Sequence, residues 1–428
     1  MLTVLHTSDW HLGRLLYGRS REQEFQSFLD WLLHTIHAHQ VDVLLIAGDI
    51  FDSSTPSHHV QAMYYQFLSA VSQTACQHVV VIGGNHDSPT LLNAPHALLK
   101  ALQVHVIGHA LDPEDEVLLL RDRQQQPLLI VAAVPYLRER DVRLMHSGER
   151  LEEKAARYRQ GVEAHYQQVA QVAQQYQQGL NKPVPIIAMG HLFTVGGHTQ
   201  ADDGVRDLVV GGLGHIAPHV FDQVFDYVAL GHLHVPQQVG QRDWVRYSGS
   251  PLPMGFGEAT QRKSVCLLSI YEEGAATQAI PAECSVWRRH GFELRLHCLA
   301  VPVFQRLQRI EGNWAAIEAQ LQACKEQQES IWLEIIYTGD EVMGTLRTQI
   351  EELIQGSELE LLKLQNQQLM KAILAPMRAE KPLPELTPLE VFERRLIAAE
   401  VAPEQHEELK RTYLEALQLL AEGGVEQR

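Results

Sequence analysis

Val79-Val80-Val81-Ile82-Gly83-Gly84-Asn85-His86-Asp87 runs from four β-branched residues into a glycine turn that offers an amide, an imidazole and a carboxylate. A short apolar run halted by two glycines reads as a buried strand ending in a functional loop. The arrangement recurs along the first 234 residues. Thr3–His6 leads to Asp9-Trp10-His11, and Val43–Ala47 runs into Gly48-Asp49. Val184–Met189 runs into Gly190-His191, and Tyr227–Leu230 into Gly231-His232-Leu233-His234. Side chains at the carboxyl ends of several strands meet in one crevice although they are distant in sequence. Strand-like and helix-like segments alternate to about residue 272, which predicts an α/β layered fold.

Seven of these groups are metal-type donors: Asp9, Asp49, Asn85, His11, His191, His232 and His234. A mixed imidazole and oxygen set without thiolate suits Mn, Fe, Zn or Ni and excludes iron–sulfur or Cys-type zinc sites. Two metals about 3.5–4 Å apart need roughly this many ligands if one carboxylate bridges them, and Asp49, central in motif order, is the natural bridge. Single histidines carry little weight among 23 in 428 residues. At that density a His-x-His pair is expected roughly once by chance, and one occurs at His37-Ala38-His39 on a helical face. The specificity lies in the joint pattern.

In order, Asp-x-His, Gly-Asp, Gly-Asn-His-Asp, Gly-His and Gly-His-x-His resemble the calcineurin-like metallophosphoesterase superfamily. Three longer stretches resemble its SbcD family, the nuclease subunits of bacterial SbcCD complexes. They are Leu5-His6-Thr7-Ser8-Asp9-Trp10-His11-Leu12-Gly13-Arg14, Ala47-Gly48-Asp49-Ile50-Phe51-Asp52-Ser53-Ser54-Thr55-Pro56 and Tyr247-Ser248-Gly249-Ser250-Pro251. The resemblance implies a four-layer sandwich with a smaller α+β capping domain and a C-terminal helical hairpin. It implies DNA exonuclease and endonuclease activity with two divalent metal ions, Mn²⁺ foremost. Asp9, His11, Asp49 and His234 would hold one metal, and Asp49, Asn85, His191 and His232 the other. His86 would protonate the leaving sugar oxygen, with Asp87 orienting its ring. Archaeal relatives carry histidine where this chain has Asp52, which is not counted as a ligand. The implied partners are DNA ends and hairpins and an SbcC-like coiled-coil ATPase, in a heterotetramer containing a homodimer of this chain. A phosphodiesterase or phosphomonoesterase for a small substrate is the alternative within the superfamily. A non-catalytic scaffold is disfavoured, because none of the seven donors is substituted.

Composition narrows the setting. Five scattered cysteines without a Cys-x-x-Cys pattern suggest reduced thiols. No stretch of 18 apolar residues exists, and a cleaved leader would remove Asp9 and His11, so a cytoplasmic, nucleoid-associated enzyme without membrane contact is expected. The net charge of −17 opposes free-standing DNA binding, so tight binding needs local basic patches or a partner. The candidate patches are Arg14, Arg19 and Arg21, and Arg138, Arg140 and Arg143. No Walker-type loop is present, so any ATP dependence belongs to another chain.

The expected units are a catalytic domain over 1–272, a capping domain over 285–370 and a partner-docking hairpin over 385–424. Residues 148–180 read as a long surface helix. In the second unit Val303–Ile310, Ile331–Tyr337 and Leu359–Gln365 read as strands, separated by helices over Asn313–Lys325 and Met343–Leu353. Pro376, Pro382, Pro384 and Pro388 mark a tether before two helices striped by Phe392, Leu396, Ile397, Leu409, Tyr413, Leu414, Leu417 and Leu420. In the helix after the second motif, Val60, Met63, Tyr64, Phe67, Leu68 and Val71 form an apolar stripe that predicts a homodimer seam over 58–75.

Overall fold

The computed structural model describes residues 1–142, 150–198, 215–275, 283–340, 343 and 345–366; in the C-terminal segment it describes 389, 392, 393, 396, 406 and 409–414. The chain forms two compact units, Met1–Phe304 and Gln305–Arg428.

The first unit opens with β1 (Leu2–Thr7), a small hairpin of β2 (Leu15–Leu16) and β3 (Arg19–Ser20), and α1 (Glu22–Ala38). Then come β4 (Val43–Ala47), α2 (His58–Val71), β5 (His78–Ile82), α3 (Pro89–Asn93), α4 (His96–Ala101) and β6 (Val104–Ile107). The middle holds α5 (Pro113–Glu116), β7 (Val117–Arg121), β8 (Pro127–Ala133), α6 (Glu139–Val142), α7 (Leu151–Gln178) and β9 (Ile186–His191). It closes with β10 (Tyr227–Gly231), β11 (Gln237–Val239), β12 (Arg242–Tyr247), β13 (Ser264–Glu272), β14 (Ser285–Arg289) and β15 (Phe292–Ala300).

One sheet has seven strands in the order β14-β15-β13-β1-β4-β5-β6, and the other six in the order β11-β12-β10-β9-β8-β7. The faces turned toward each other are apolar: Val4, Val43, Leu45, Val80 and Ile82 of the first pack with Leu129, Val131, Ile187, Met189, Tyr227 and Ala229 of the second. The outer face of the first sheet is covered by Phe25, Phe28, Leu29 and Leu32 of α1 and by α2. Val162, Tyr166, Val169 and Ala173 of α7 cover the second. Helix, sheet, sheet, helix are the four layers. Strands buried on both faces explain why the sequence shows continuous apolar runs rather than alternation.

Two expectations need correction. The α2 stripe does not face outward. Met63, Tyr64, Phe67, Leu68 and Val71 are buried in the unit's own core, where Trp10 lies edge-on to Phe67 at 5.4 Å and Tyr64 meets Phe51 at 5.4 Å. The amphipathic period is used up within the chain, so it gives no support to a dimer seam. The catalytic unit also does not end at 272, nor does the second begin at 285. β14 and β15 extend the first sheet through Ala300, and β15 pairs with β13 along its whole length. The hairpin was hidden because β15 buries Glu293 and Arg295 as well as Phe292, Leu294 and Leu296. Arg295 and Arg288 pair with Glu293 at 2.8 Å, which erases the alternation a strand normally shows.

In the second unit β16 (Arg306–Gly312), α8 (Trp314–Glu326), β17 (Ile331–Tyr337), α9 (Leu346–Ile354) and β18 (Leu359–Asn366) follow the expected β-α-β-α-β order, with both strand pairs parallel. Asn313 caps α8 by accepting a hydrogen bond from the Ala316 N–H at 3.0 Å. Gly356, at φ +74°, makes the turn after α9. Farther on, Phe392, Leu396 and Leu409 are buried together and Tyr413 stacks on Phe392, with ring centroids 4.0 Å apart. Ile397, Leu417 and Leu420 and the four prolines of the tether lie outside the described residues.

Candidate metal centre

Four of the seven donors sit on backbone that ordinary residues avoid. Asp9 (φ 52°), His11 (47°), Asp49 (50°) and His232 (102°) all have positive φ. Such conformations cost roughly 1–3 kcal/mol each and persist only where the surroundings enforce them. Here the enforcement is visible. The Asp9 N–H donates to the Gly48 carbonyl, His11 to Asp49 and Leu12 to Ile50, so the loops after β1 and β4 are laced side by side. Glycines let a third and a fourth loop approach. A Cβ on Gly84 would lie 2.1 Å from Asp49 Oδ1, and one on Gly231 would lie 1.9 Å from the Ala47 carbonyl oxygen.

The loops deliver two buried groups, Asp9–His11–His234 and Asp49–His191–His232. In the first, His11 Nε2 and His234 Nε2 are 3.1 Å apart, closer than two lone pairs sit without a proton or cation between them. In the second, Asn85 Oδ1 is 3.0 Å from both His191 Nε2 and His232 Nδ1. Asp49 Oδ2 lies between the groups, 3.7 Å from His11 Nε2 and 3.2 Å from His191 Nε2. All seven donors therefore come together, with Asp49 in the central place. Buried oxygens and imidazole nitrogens brought this close together, in two groups of a carboxylate and two histidines, fit divalent cations.

The electrostatics carry the same mark. Burial raises the Asp9 carboxyl to about 7, with Asp49 adding repulsion and His191 opposing it. Burial alone would lower His191, but the Asp49 carboxylate overrides it and holds the imidazole at about 9. At His232 the pull of Asp49 is outweighed, and burial together with His191 lowers the ring to about 3. Two carboxylates and a charged imidazole crowded in a buried site form an arrangement that a cation would relax.

Surrounding groups fix the donors. His191 Nδ1 donates to the Ala47 carbonyl at 2.9 Å, leaving Nε2 directed at Asp49 and Asn85. Asp9 accepts from Ser8 Oγ at 2.5 Å and from the His232 N–H at 2.9 Å. Asp49 Oδ1 accepts the His86 N–H at 2.9 Å. Behind His11, Asp52 Oδ1 lies 3.2 Å from Nδ1, off the line of an ideal hydrogen bond, and also takes Arg14 at 3.1 Å. The charge on Asp52 is stabilised against burial by His11 and Arg14, which hold its carboxyl at about 2.

His86 is partly exposed at the rim, edge-on to His11 at 4.9 Å. Its Nδ1 meets the Asp52 carbonyl at 2.9 Å, which fixes the ring and leaves Nε2 uncommitted to that bond. Asp87 does not orient it, contrary to expectation. The Asp87 carboxylate accepts the backbone N–H groups of Gly84 at 2.8 Å, Phe51 at 3.0 Å and Ile50 at 3.2 Å. Asp87 thus pins the β4 and β5 loops together. Of the proposed basic patches, Arg21 is buried and forked onto Glu24 at 2.9 Å, so it is structural. Arg14 is engaged with Asp52, Arg19 and Arg140 are exposed, and Arg143 lies outside the described residues.

Sequence reasoning passed over one supporting cluster. Lys263 Nζ is buried and donates to the His234 carbonyl at 3.1 Å, Ser250 Oγ at 3.0 Å and Glu258 Oε2 at 2.6 Å. Glu258 Oε1 is 3.8 Å from His234 Nδ1. The Tyr247-Ser248-Gly249-Ser250-Pro251 motif pointed to this region. Ser248 Oγ touches Ser8 Oγ at 2.8 Å, and the Ser250 N–H donates to His234.

Residues 2–236 match the family model described as calcineurin-like phosphoesterase, and residues 303–400 one described as type 5 capsule protein repressor C-terminal domain. The SbcD subunit of the nuclease SbcCD from Escherichia coli (strain K12) is 34% identical over 425 residues, covering 98% of this chain and 99% of its own. The chain belongs to this family. The SbcD subunits of the Rhodobacter capsulatus and Bacillus subtilis nucleases are 38% and 34% identical over 290 and 289 residues. They cover 65% and 67% of this chain, and 69% and 68% of their own. Membership makes the chain a hydrolytic, divalent-metal-dependent phosphoesterase of the SbcD family. Among the described residues no helix is long and apolar enough to cross a membrane.

Proposed function

We propose that this chain is a two-metal DNA nuclease, with exonuclease and endonuclease activity, acting as the catalytic subunit of an ATP-driven complex with an SbcC-like coiled-coil ATPase. The observation that carries it is the place of Asp49, which belongs to one buried group of a carboxylate and two histidines and reaches toward a second group of the same make-up. Asp9, His11, Asp49 and His234 would hold one ion, and Asp49, Asn85, His191 and His232 the other. Bound divalent ions supply hydroxide near neutral pH and offset the phosphate charge. The four imidazoles favour Mn²⁺ over Mg²⁺, which prefers oxygen ligands.

The chain's own part is positional. The strained loops keep the donors aimed inward, with the apolar core between the sheets behind them. His86, its Nδ1 committed to the Asp52 carbonyl, presents Nε2 where a proton can pass to a leaving oxygen. The second unit would contribute to substrate selection and the C-terminal helices would dock the ATPase. Two copies of the chain in a heterotetramer would meet through surfaces other than the α2 stripe. A nucleoid-associated, cytoplasmic setting follows from such a substrate.

The test is metal-stripped protein, reloaded with Mn²⁺ or Mg²⁺, on end-labelled DNA and on p-nitrophenyl phosphate esters. Mn²⁺-dependent DNA cleavage is the expected result. Ester hydrolysis without DNA cleavage would assign a small substrate instead. Truncation before Ala379 tests the tail: it should retain oligonucleotide cleavage and lose capture of the ATPase, and retained capture would place docking elsewhere.

A further inference from the structure

Away from the metal centre, Cys266 on β13 stands directly opposite Cys298 on β15 in an antiparallel pair. Directly opposed residues project to the same side of a sheet. Their Cα atoms are about 4.5–5.5 Å apart, within the roughly 4.4–6.8 Å window of a disulfide. Cys266 is buried on the face between the two sheets, whereas Cys298, nearer its edge, is exposed. The two are free thiols in this structure.

What sets this pair apart is Arg246. It lies on β12 opposite Ala229, whose side chain faces the inter-sheet core, so the guanidinium reaches across toward the first sheet. Its Nη1 is 3.4 Å from Cys298 Sγ, and its Nε is buried without a hydrogen-bond partner. Among the described residues no carboxylate forms an ion pair with it. A largely buried guanidinium needs an anion. The group placed to provide one is the Cys298 sulfur. Cys266 beside it, with Arg246 behind, outweighs burial and draws the Cys298 thiol down, while Cys266 is driven up.

We propose that Cys298 and Cys266 form a hydroperoxide-reactive dithiol site, with Cys298 attacking and Cys266 resolving. The Cys298 thiolate attacks one peroxide oxygen and the O–O bond breaks. Sulfur is oxidised by two electrons to the sulfenic acid, and the leaving hydroxide takes a proton to become water. Cys266 sulfur then attacks the sulfenic sulfur. The S–S bond forms as the S–O bond breaks, and the Cys266 proton leaves with the hydroxide as a second water. The net change is two thiols and one hydroperoxide to one disulfide, with water and an alcohol (or a second water) released. An exposed, cation-flanked thiolate beside a resolving thiol is the arrangement that favours this sequence. Cys284 is the rival partner. Continuing the β14 register beyond Ser285 opposite Leu296 sets it against His297, which points to the other face.

The experiment uses full-length, metal-stripped protein and hydrogen peroxide, read by non-reducing peptide mass mapping. The expected product is a peptide pair linked through Cys266 and Cys298, with loss of two titratable thiols. Cys266→Ser should leave Cys298 as a sulfenic acid that dimedone captures. At pH 7 Cys298 should react with iodoacetamide faster than Cys284. At pH 5, below the Cys298 value of about 6, Arg246→Met should slow it about tenfold, the consequence of roughly one unit in thiol pKa, while Arg246→Lys, which keeps the charge, should retain most of the rate. A Cys284–Cys298 link, no link at all, or a Cys298 rate indifferent to Arg246→Met in folded protein would each overturn the proposal.

Discussion

The metal crevice and the second unit are built on opposite principles. In Arg306–Asn366 each element obeys its local sequence: a capped helix follows a strand, parallel strands flank it, and Ile310, Ile317, Leu321, Leu333, Ile335 and Ile350 fill one core. In the crevice the local rules are broken. Non-glycine residues hold positive φ, carboxylates are buried beside one another, and donors arrive from five loops. Regular units are stabilised by their own patterning, whereas functional ones draw stability from their surroundings to hold a strained site. Substitutions should therefore act on binding and chemistry in one region and on folding in the other.

The sharpest break would come from Asp49→Ala. It removes the carboxylate between the groups, so elemental analysis should show loss of metal and DNA cleavage should fall to background. Metal content and activity near wild type would remove Asp49 from the centre. His86→Asn should keep the metals while cleavage drops about 10²–10⁴-fold, the usual contribution of a general acid. Loss of metal in that variant would make His86 a ligand.

Asp52→Ala probes the group behind His11. Deleting such a supporting carboxylate typically weakens metal affinity about 10–100-fold, which calorimetric titration of metal-stripped protein would measure. An unchanged affinity would reduce Asp52 to a partner of Arg14.

The pH dependence has a definite sign. Metal competes with the protons on His191 (about 9) and Asp9 (about 7), so affinity should rise as pH increases from 7 toward 9 and loading should release protons. A flat profile over that interval would mean that the two groups bind metal no better when deprotonated. The smallest effect belongs to the regular unit. Asn313→Ala removes the α8 cap and should cost about 1 kcal/mol of stability, seen in urea unfolding, with Mn²⁺-dependent cleavage of a short oligonucleotide unchanged.

The same contrast explains what could be read in advance. The strand-end motifs were legible because buried strands write continuous apolar runs and their glycines permit close approach. Asp9, Asp49 and the histidines follow directly. The supporting groups were not legible. Asp52 acts through a carbonyl and a carboxylate that reach different histidines, and Lys263 and Glu258 meet His234 only through the fold. Asp87 was expected to orient its neighbour's ring, but the groups it meets lie on two loops that only the fold brings together. Its carboxylate instead turns back onto the peptide N–H groups of Gly84, Ile50 and Phe51. The apolar period of α2 was real, but periodicity cannot say whether a face meets its own core or another molecule.

The central placing of β1 has a consequence for how the enzyme comes into being. β1 carries Asp9 and His11 at its end and lies between β4, which follows it closely, and β13, which the ribosome delivers more than 250 residues later. Asp9 also waits for the His232 N–H, 223 residues downstream. A nascent or prematurely terminated chain can therefore fold its first strands and helices and still lack the nuclease crevice. Synthesis itself delays the cutting activity until nearly the whole catalytic unit has emerged.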